Sequence, residues 1–198
     1  MKKIISVLLI LSCVLCLFCA CGEKKITSGD YVYTVQKDGT AKIVKYVGTE
    51  DKISLELPDE LDGKKVTVIG KGAFKNVMCL TVVNGPKDLA AIEEKAFEGS
   101  SVKKVFFFKC HSLTVIGDSA FAGCEKLIQA DMPSSLEKLG ANAFSGDAAL
   151  KIAEFRGNTA DIGAGAFSGC EKVTVYFRES ADSVKKFVEA NGLNSKTV

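Results

Sequence analysis

The chain has no tryptophan, one histidine and three prolines in 198 residues. A single histidine excludes every metal site or mechanism that needs two. An excess of charge of one sign is also missing: 26 Lys and Arg stand against 24 Asp and Glu, a formal +2. That is too small a field to draw the chain to nucleic acid. Composition argues against disorder, because 47% of the residues are hydrophobic and 25% charged, the usual balance of a folded domain. The length suits one domain, or two small ones, with a core that stands alone.

What is present begins at the N-terminus. Met1-Lys2-Lys3 precedes a run from Ile4 to Ala20 that is apolar except for Ser6 and Ser12. A positive start and a short apolar run are the layout of an export signal. The run of 17 residues lies at the short limit for crossing a bilayer. Its end, Phe18-Cys19-Ala20-Cys21-Gly22, resembles the lipobox of bacterial lipoproteins. Ala20 and Gly22 fit that motif, whereas Phe18 stands where Leu is usual and Cys19 is an uncommon neighbour. The resemblance implies that residues 1–20 are removed and Cys21 becomes a diacylglyceryl-modified N-terminus, followed by a tether over 21–29 and a domain over 30–198. Two other outcomes are compatible with the residues: cleavage after Gly22, which releases a soluble protein, and an uncleaved anchor. Loss of Lys2 and Lys3 leaves 24 basic and 24 acidic side chains. Charge would then hold nothing at a membrane or an anionic wall polymer, whereas acyl chains would.

Eight cysteines suggest a disulfide scaffold only until they are placed. Cys13, Cys16, Cys19 and Cys21 belong to the export segment, and Cys79, Cys110, Cys124 and Cys170 remain. These four include no CxxC pair and have no histidine pair to join them, so zinc is not expected. No cofactor is expected either.

The dipeptide Ala-Phe recurs at Ala73-Phe74, Ala96-Phe97, Ala120-Phe121, Ala143-Phe144 and Ala166-Phe167, with spacings of 23, 24, 23 and 23. Five residues before each Phe stands Ile69, Ile92, Ile116, Leu139 or Ile162. Gly follows that aliphatic at 70, 117, 140 and 163, and Glu93 is the exception. Eight residues before the Phe lie Val66, Leu89, Leu113, Leu136 and Thr159. A small turn such as Ser145-Gly146 comes after it, and a further aliphatic six residues on, at Leu80, Leu127, Leu150 and Val173. Val102 fills that slot one residue early.

A unit this short cannot bury its own apolar face. Stacked units align equivalent residues into ladders and make one continuous core, the logic of a solenoid. Segments such as 127–132 read as short strands bounded by turns. The Ile-Gly-x-x-Ala-Phe segments read as tight turns that send the Phe inward, with the Gly giving backbone freedom. The unit Ile116-Gly117-Asp118-Ser119-Ala120-Phe121-Ala122-Gly123-Cys124-Glu125-Lys126-Leu127 resembles the BspA-type leucine-rich repeat of bacterial surface proteins. The resemblance covers about residues 30–192. It implies a strand-rich repeat solenoid and, from the larger members, adhesion or contact with host surfaces. Val77, Ser100 and Asp147 depart from the motif in its Cys slot. Cys124 and Cys170 share that slot two units apart. Strands stack about 4.8 Å apart, so two units separate the backbones by roughly 10 Å. A disulfide needs Cα atoms within about 7 Å, and free buried thiols are expected.

A solenoid needs caps at both ends. Tyr31–Val35, the Asp38-Gly39 turn and 41–44 predict a hairpin over the first coil. Ile53, Leu55 and Leu57 add a repeat-like strand that ends at Pro58. Ser180 predicts an N-cap for a helix over 181–190, stopped by Asn191-Gly192. Its face of Val184, Phe187 and Val188 would seal the last coil.

Chemistry is sparse. His111 follows Cys110 in a turn, and adjacent side chains diverge, so the pair is not a dyad. Asp59-Glu60 and Glu93-Glu94 read as solvated charge, and the Gly-x-Gly segments lack a phosphate-loop pattern. The unusual surface is Phe106-Phe107-Phe108 among Lys103, Lys104 and Lys109. The register sends Val102, Val105 and Phe107 inward. Phe106 and Phe108 then either point out beside Lys104 and Lys109, as a surface for protein or glycan recognition, or are buried by rearrangement of this irregular unit. The expected function is a non-enzymatic, lipid-anchored module on the extracytoplasmic cell surface, with an extracellular protein or glycan as partner and no nucleic acid. The alternative is a structural envelope lipoprotein without a soluble ligand.

Overall fold

The computed structural model describes residues 23–49 and 54–198. The apolar run, Cys21 and Ile53 lie outside the described residues. Within them, no helix is long and apolar enough to cross a membrane.

Each repeat gives one short strand to each of two sheets. The first sheet runs in the order Ile26–Ser28, Tyr31–Val35, Ala41–Tyr46, Lys64–Ile69, Ala91–Ile92, Val115–Ile116, Lys138–Leu139 and Asp161–Ile162, and Glu60–Leu61 folds back onto Lys64–Ile69. Its first three strands are an antiparallel meander; from Ala41–Tyr46 onward the ladder is parallel. The second sheet is parallel throughout: Leu55–Glu56, Val82–Asn84, Lys104–Phe106, Gln129–Met132, Ile152–Phe155, Thr174–Phe177 and Asn194–Thr197. Apolar residues from both sheets and from the turns meet in a single cluster that includes Ile69, Ile92, Ile116, Leu139, Val83, Val105 and Ala130.

The turns bring in the Phe ladder. Phe74, Phe97, Phe121, Phe144 and Phe167 stack in series, with centroids 4.8–5.4 Å apart and planes within 7–10°. Tyr46 of the hairpin extends the stack onto Phe74 at 5.3 Å. Its N–H donates to Ala73 O just as the Phe74 N–H donates to Ala96 O. The hairpin thus caps the solenoid by imitating a coil. It is tied down by Asp62, whose carboxylate accepts from Ser28 Oγ and Tyr33 Oη, each at 2.8 Å.

The glycine after each aliphatic plays a different part from the one expected. Gly70, Gly117, Gly140 and Gly163 do not have positive φ. They are required because neighbouring coils touch there: a Cβ on Gly140 would lie 2.4 Å from Asp118 N and Gly117 C. The left-handed positions fall two residues either side of the Phe. The earlier slot holds Gly72, Lys95, Ser119, Asn142 and Gly165 at φ 53–66°, and the later one holds Asn76, Gly99, Gly123, Gly146 and Gly169 at φ 57–80°. Three of the five residues in the earlier slot accept a conformation that costs a side chain about 1–2 kcal/mol.

Ion pairs run along the stacking direction. Lys71–Glu94 at 2.7 Å, Lys75–Glu98 at 2.5 Å and Lys138–Asp161 at 3.4 Å each join one coil to the next. Each is worth little alone.

The ends differ from expectation in three respects. Ile26–Ser28, in the segment read as tether, pairs antiparallel with Tyr31–Val35. The helix spans Asp182–Ala190 with Ala181 at its N-cap, and Ser180 does not cap it. The first-turn N–H of Ser183 instead donates to Asn158 Oδ1, 2.9 Å away on the preceding coil. After Gly192, Asn194–Thr197 adds a further strand parallel to Thr174–Phe177. Val184 and Val188 are buried as expected, and Phe187 packs against the core edge.

Candidate functional site

The outward row of the second sheet is Glu56, Asn84, Phe106, Asp131, Glu154, Tyr176 and Lys196, one residue per strand. Alternation explains it: Val83, Val105, Ala130, Ala153 and Val175 face in and are fully buried, so their neighbours face out. Val102, Val105 and Phe107 are all fully buried, as their register requires. Lys104, two residues before Phe106, lies on the same outward face and pairs with Val82 and Gln129.

Phe106 and Phe108 come together at the end of their strand. Their centroids lie 6.3 Å apart at 71°, an edge-to-face pair. Phe106 is half-buried, while Phe108 keeps 39% of its surface exposed. Two cations lie over the Phe108 ring: Lys109 Nζ at 5.8 Å from the centroid and Arg156 Cζ at 5.3 Å. Arg156 is held in place by Glu154 at 3.1 Å and Asp131 at 3.8 Å. Asp131, although in the outward row, is almost wholly buried and accepts from Gln129 Nε2 at 3.1 Å.

The structure therefore brings Lys104, Phe106, Phe108 and Lys109 to one face and adds Arg156. In the repeat register Arg156 stands in the turn slot that Pro86, Cys110 and Pro133 occupy in other units. A long cation in a slot otherwise held by compact residues was the available signal. A partly exposed ring with flanking cations makes apolar and cation–π contacts and carries donors for oxygen-rich ligands.

Other candidates resolve into structure. Cys110 is buried and His111 exposed, so they share no site. Glu93 bonds Lys42 Nζ at 2.7 Å and accepts from the Lys71 N–H at 2.9 Å. Asp59 accepts from the Lys87 N–H at 2.9 Å. These acids keep solvent exposure, as expected, and at the same time tie neighbouring segments together. Cys79, Cys110, Cys124 and Cys170 are free thiols, and burial pushes Cys110, Cys124 and Cys170 up to about 12. Among the described residues, no group of three or more His, Cys, Asp or Glu is placed to hold a metal ion.

Comparison with solved structures finds the same architecture. A leucine-rich repeat protein of T. pallidum superposes with a TM-score of 0.69 at 27% identity, over 77% of this chain and 71% of that one. The pneumococcal vaccine antigen PcpA superposes at 0.62 with 21% identity, over 80% of this chain and 51% of that one. A leucine rich cell surface protein of Faecalibacterium prausnitzii superposes at 0.54 with 23% identity, over 79% of this chain and 55% of that one. The last two likenesses concern the fold. A comparison with curated proteins finds no match. The family description "BspA type Leucine rich repeat region" matches residues 54–187 in six copies. With more than half of the chain matched, and the repeat visible coil by coil in the structure, the chain belongs to the BspA-type leucine-rich repeat family.

Proposed function

We propose that the chain is a non-enzymatic recognition module of the bacterial cell surface. Lipid on Cys21 holds it on the extracytoplasmic side, and it binds an extracellular protein or glycan through Lys104, Phe106, Phe108, Lys109 and Arg156. The observation that carries this reading is Phe108, 39% exposed with Arg156 and Lys109 over its ring. An aromatic kept at the surface and fixed by neighbouring cations is pre-ordered for contact, which lowers the entropy lost on binding. Val82, Ile152 and Tyr176 also lie half-buried on this face, and among the described residues Phe106 and Phe108 form its aromatic pair. Family membership and a neighbour described as a cell surface protein support exposure outside the cell.

The test uses the full chain in lipid nanodiscs, screened against matrix proteins, mucins, cell-wall glycans and envelope extract of the producing cell. A saturable interaction that falls at least tenfold in Phe106→Ser/Phe108→Ser, with the melting temperature held, is the expected result. A folded chain that binds nothing outside its own envelope overturns the reading in favour of a structural role. Incorporation of labelled palmitate into the wild type and its loss in Cys21→Ala checks the anchor.

A further inference from the structure

The face of the second sheet carries an excess of charge that the chain as a whole lacks. Lys103, Lys104, Lys109, Lys151, Arg156 and Lys196 stand on it or at its rim, against Glu56, Asp131 and Glu154. The three acids are already engaged. Asp131 and Glu154 pair with Arg156, and Glu56 accepts from Asn84 Nδ2 at 3.1 Å. Among the described residues, Lys103, Lys104, Lys109 and Lys151 have no carboxylate partner. On the turns and the first sheet, Lys71, Lys75 and Lys138 are each paired with an acid of the next coil.

The cations around Phe106 and Phe108 recur on alternate coils. Lys103 and Lys151 are exposed at the entries to Lys104–Phe106 and Ile152–Phe155. They hold equivalent positions: the Ile128 N–H donates to Lys103 O, and the Lys151 N–H to Ile128 O. Lys109 and Arg156 stand at the exits of the same two strands. The strand between, Gln129–Met132, presents little charge. Gln129 is neutral, Asp131 is almost wholly buried against Arg156, and Pro133 stands at the exit. Lys126, in the turn that leads to it, is next to Glu125. Two strand spacings put the cationic coils roughly 10 Å apart. Phe106 lies within this frame and Phe108 at its exit edge.

We propose that the ligand of this face is an acidic glycan with an anionic group on alternate sugars, laid along the solenoid axis; this rests on the recognition role proposed above. Charge complementarity carries it: the lysines are unpaired, the acids of the face are taken, and an anionic partner supplies the missing counter-charge. The spacing selects the class of partner. A pyranose advances a linear glycan by about the rise of one coil, so acids on alternate sugars return in step with Lys103 and Lys151. An extended acidic peptide fits less well, because residues on one side of a strand return about every 6.6 Å, out of step with two coils. The exposed part of Phe108 offers apolar contact to the C–H face of a sugar between the charged positions.

The probe is a hyaluronan hexasaccharide, which carries a carboxylate on every second sugar. It is titrated calorimetrically into the full chain in phosphatidylcholine nanodiscs. Saturable binding is expected, and it weakens with added salt because exposed charges are screened. The methyl ester, a glycan of the same backbone without the charges, binds at least tenfold more weakly. Lys103→Gln/Lys151→Gln also loses at least tenfold, with the melting temperature held, since neither side chain has an ion-pair partner to lose. No saturable binding of the hexasaccharide, equal affinity for the ester, equal or tighter binding of hexaglutamate, or wild-type affinity in the double lysine variant overturns the proposal. The ester and hexaglutamate comparisons use wild-type protein and hold even if the variant misfolds. A neutral glycan or a protein that binds through Phe106 and Phe108, with no binding of the hexasaccharide, overturns the acidic-glycan assignment alone and leaves the recognition role standing. Absence of binding to every partner in both panels overturns both.

Discussion

Asp147 stacks one coil beyond Cys124 in the same slot, fully buried, with neither carboxylate oxygen making a hydrogen bond. Cys124 and Cys170, on either side, each donate a thiol hydrogen to the carbonyl of a preceding Phe, at 3.1 and 3.0 Å. The slot therefore calls for a small donor. A carboxyl offers a donor only when protonated. Loss of solvation pushes Asp147 up to about 9, and the nearby Gly123 and Cys124 amides offset only part of that. The Cys124 and Cys170 thiols are the other titratable groups on the ladder, and both stay neutral in this range.

That position makes stability pH-dependent in a stated direction. Unfolded, Asp147 releases its proton near 4; folded, it keeps it to about 9. Between these values the folded state holds one more proton, so stability falls as pH rises, by about 1.4 kcal/mol per unit at most from this group. Acidification from pH 8 to 5 should stabilise the wild type. In Asp147→Ser this contribution vanishes. At pH 7.5 the variant should melt at least 5 °C higher, several kcal/mol being worth roughly that much or more in a chain of this size. Denaturant titrations of both proteins at pH 5, 6.5 and 8 measure the difference in slope. Parallel slopes would show that Asp147 ionises while buried.

The two kinds of turn position predict opposite effects of small residues. Lys95 sits at φ 59°, and Lys95→Gly should raise stability by about 1 kcal/mol through relief of left-handed strain. Its exposed contact with Glu94 at 3.7 Å contributes little. Gly140 has ordinary φ but no room, with backbone atoms 2.4 Å from its missing Cβ. Gly140→Ala should cost 3 kcal/mol or more, about the upper range for a single change. Chemical denaturation of the two variants gives both signs in one experiment.

The repeat was legible because its slots are chemically narrow. An aliphatic, an Ala-Phe pair and a small turn recur at fixed offsets, and the ring stack shows why each is needed. The end strands were not. Ile26–Ser28 and Asn194–Thr197 are short or polar, and the second exposes all four residues. They form because an adjacent sheet edge offers partners, which no local pattern records. Ser180 falls one residue before the N-cap position, held by Ala181, and the first-turn N–H of Ser183 is met instead by Asn158, 25 residues earlier in the chain. Arg156 reaches Phe108 across coils, a neighbourhood set by stacking rather than by sequence distance.

Thiol accessibility separates the cysteines of the folded part. Cys79 is half-buried, whereas Cys110, Cys124 and Cys170 are buried and carry raised pKa values near 12. Only thiolate reacts with alkylating agents. Iodoacetamide at pH 8, followed by peptide mass mapping, should label Cys79 first. Cys110, Cys124 and Cys170 should react only at the rate of unfolding. Rapid labelling of Cys124 in the folded protein would contradict the packing described for its slot.

Phe144 tests whether the aromatic stack is a column or a set of independent contacts. Its ring lies 5.2 Å from Phe121 and 5.4 Å from Phe167, within 10° of parallel to both. Phe144→Ala removes two stacked faces from a fully buried site and should cost about 3–5 kcal/mol. Phe74→Ala also interrupts the column, but beside the hairpin, where Tyr46 forms the neighbouring contact. In a stacked array each coil is stabilised chiefly by its neighbours. The internal deletion should therefore uncouple the coils on either side of it, and the terminal one should release only the cap. Hydrogen exchange resolves the outcomes. Phe144→Ala should speed exchange from Phe97 through Phe167, whereas Phe74→Ala should speed it only around the hairpin and first coil. Equal, uniform acceleration in both would mean that the solenoid unfolds as one unit, with no role for the column as a relay.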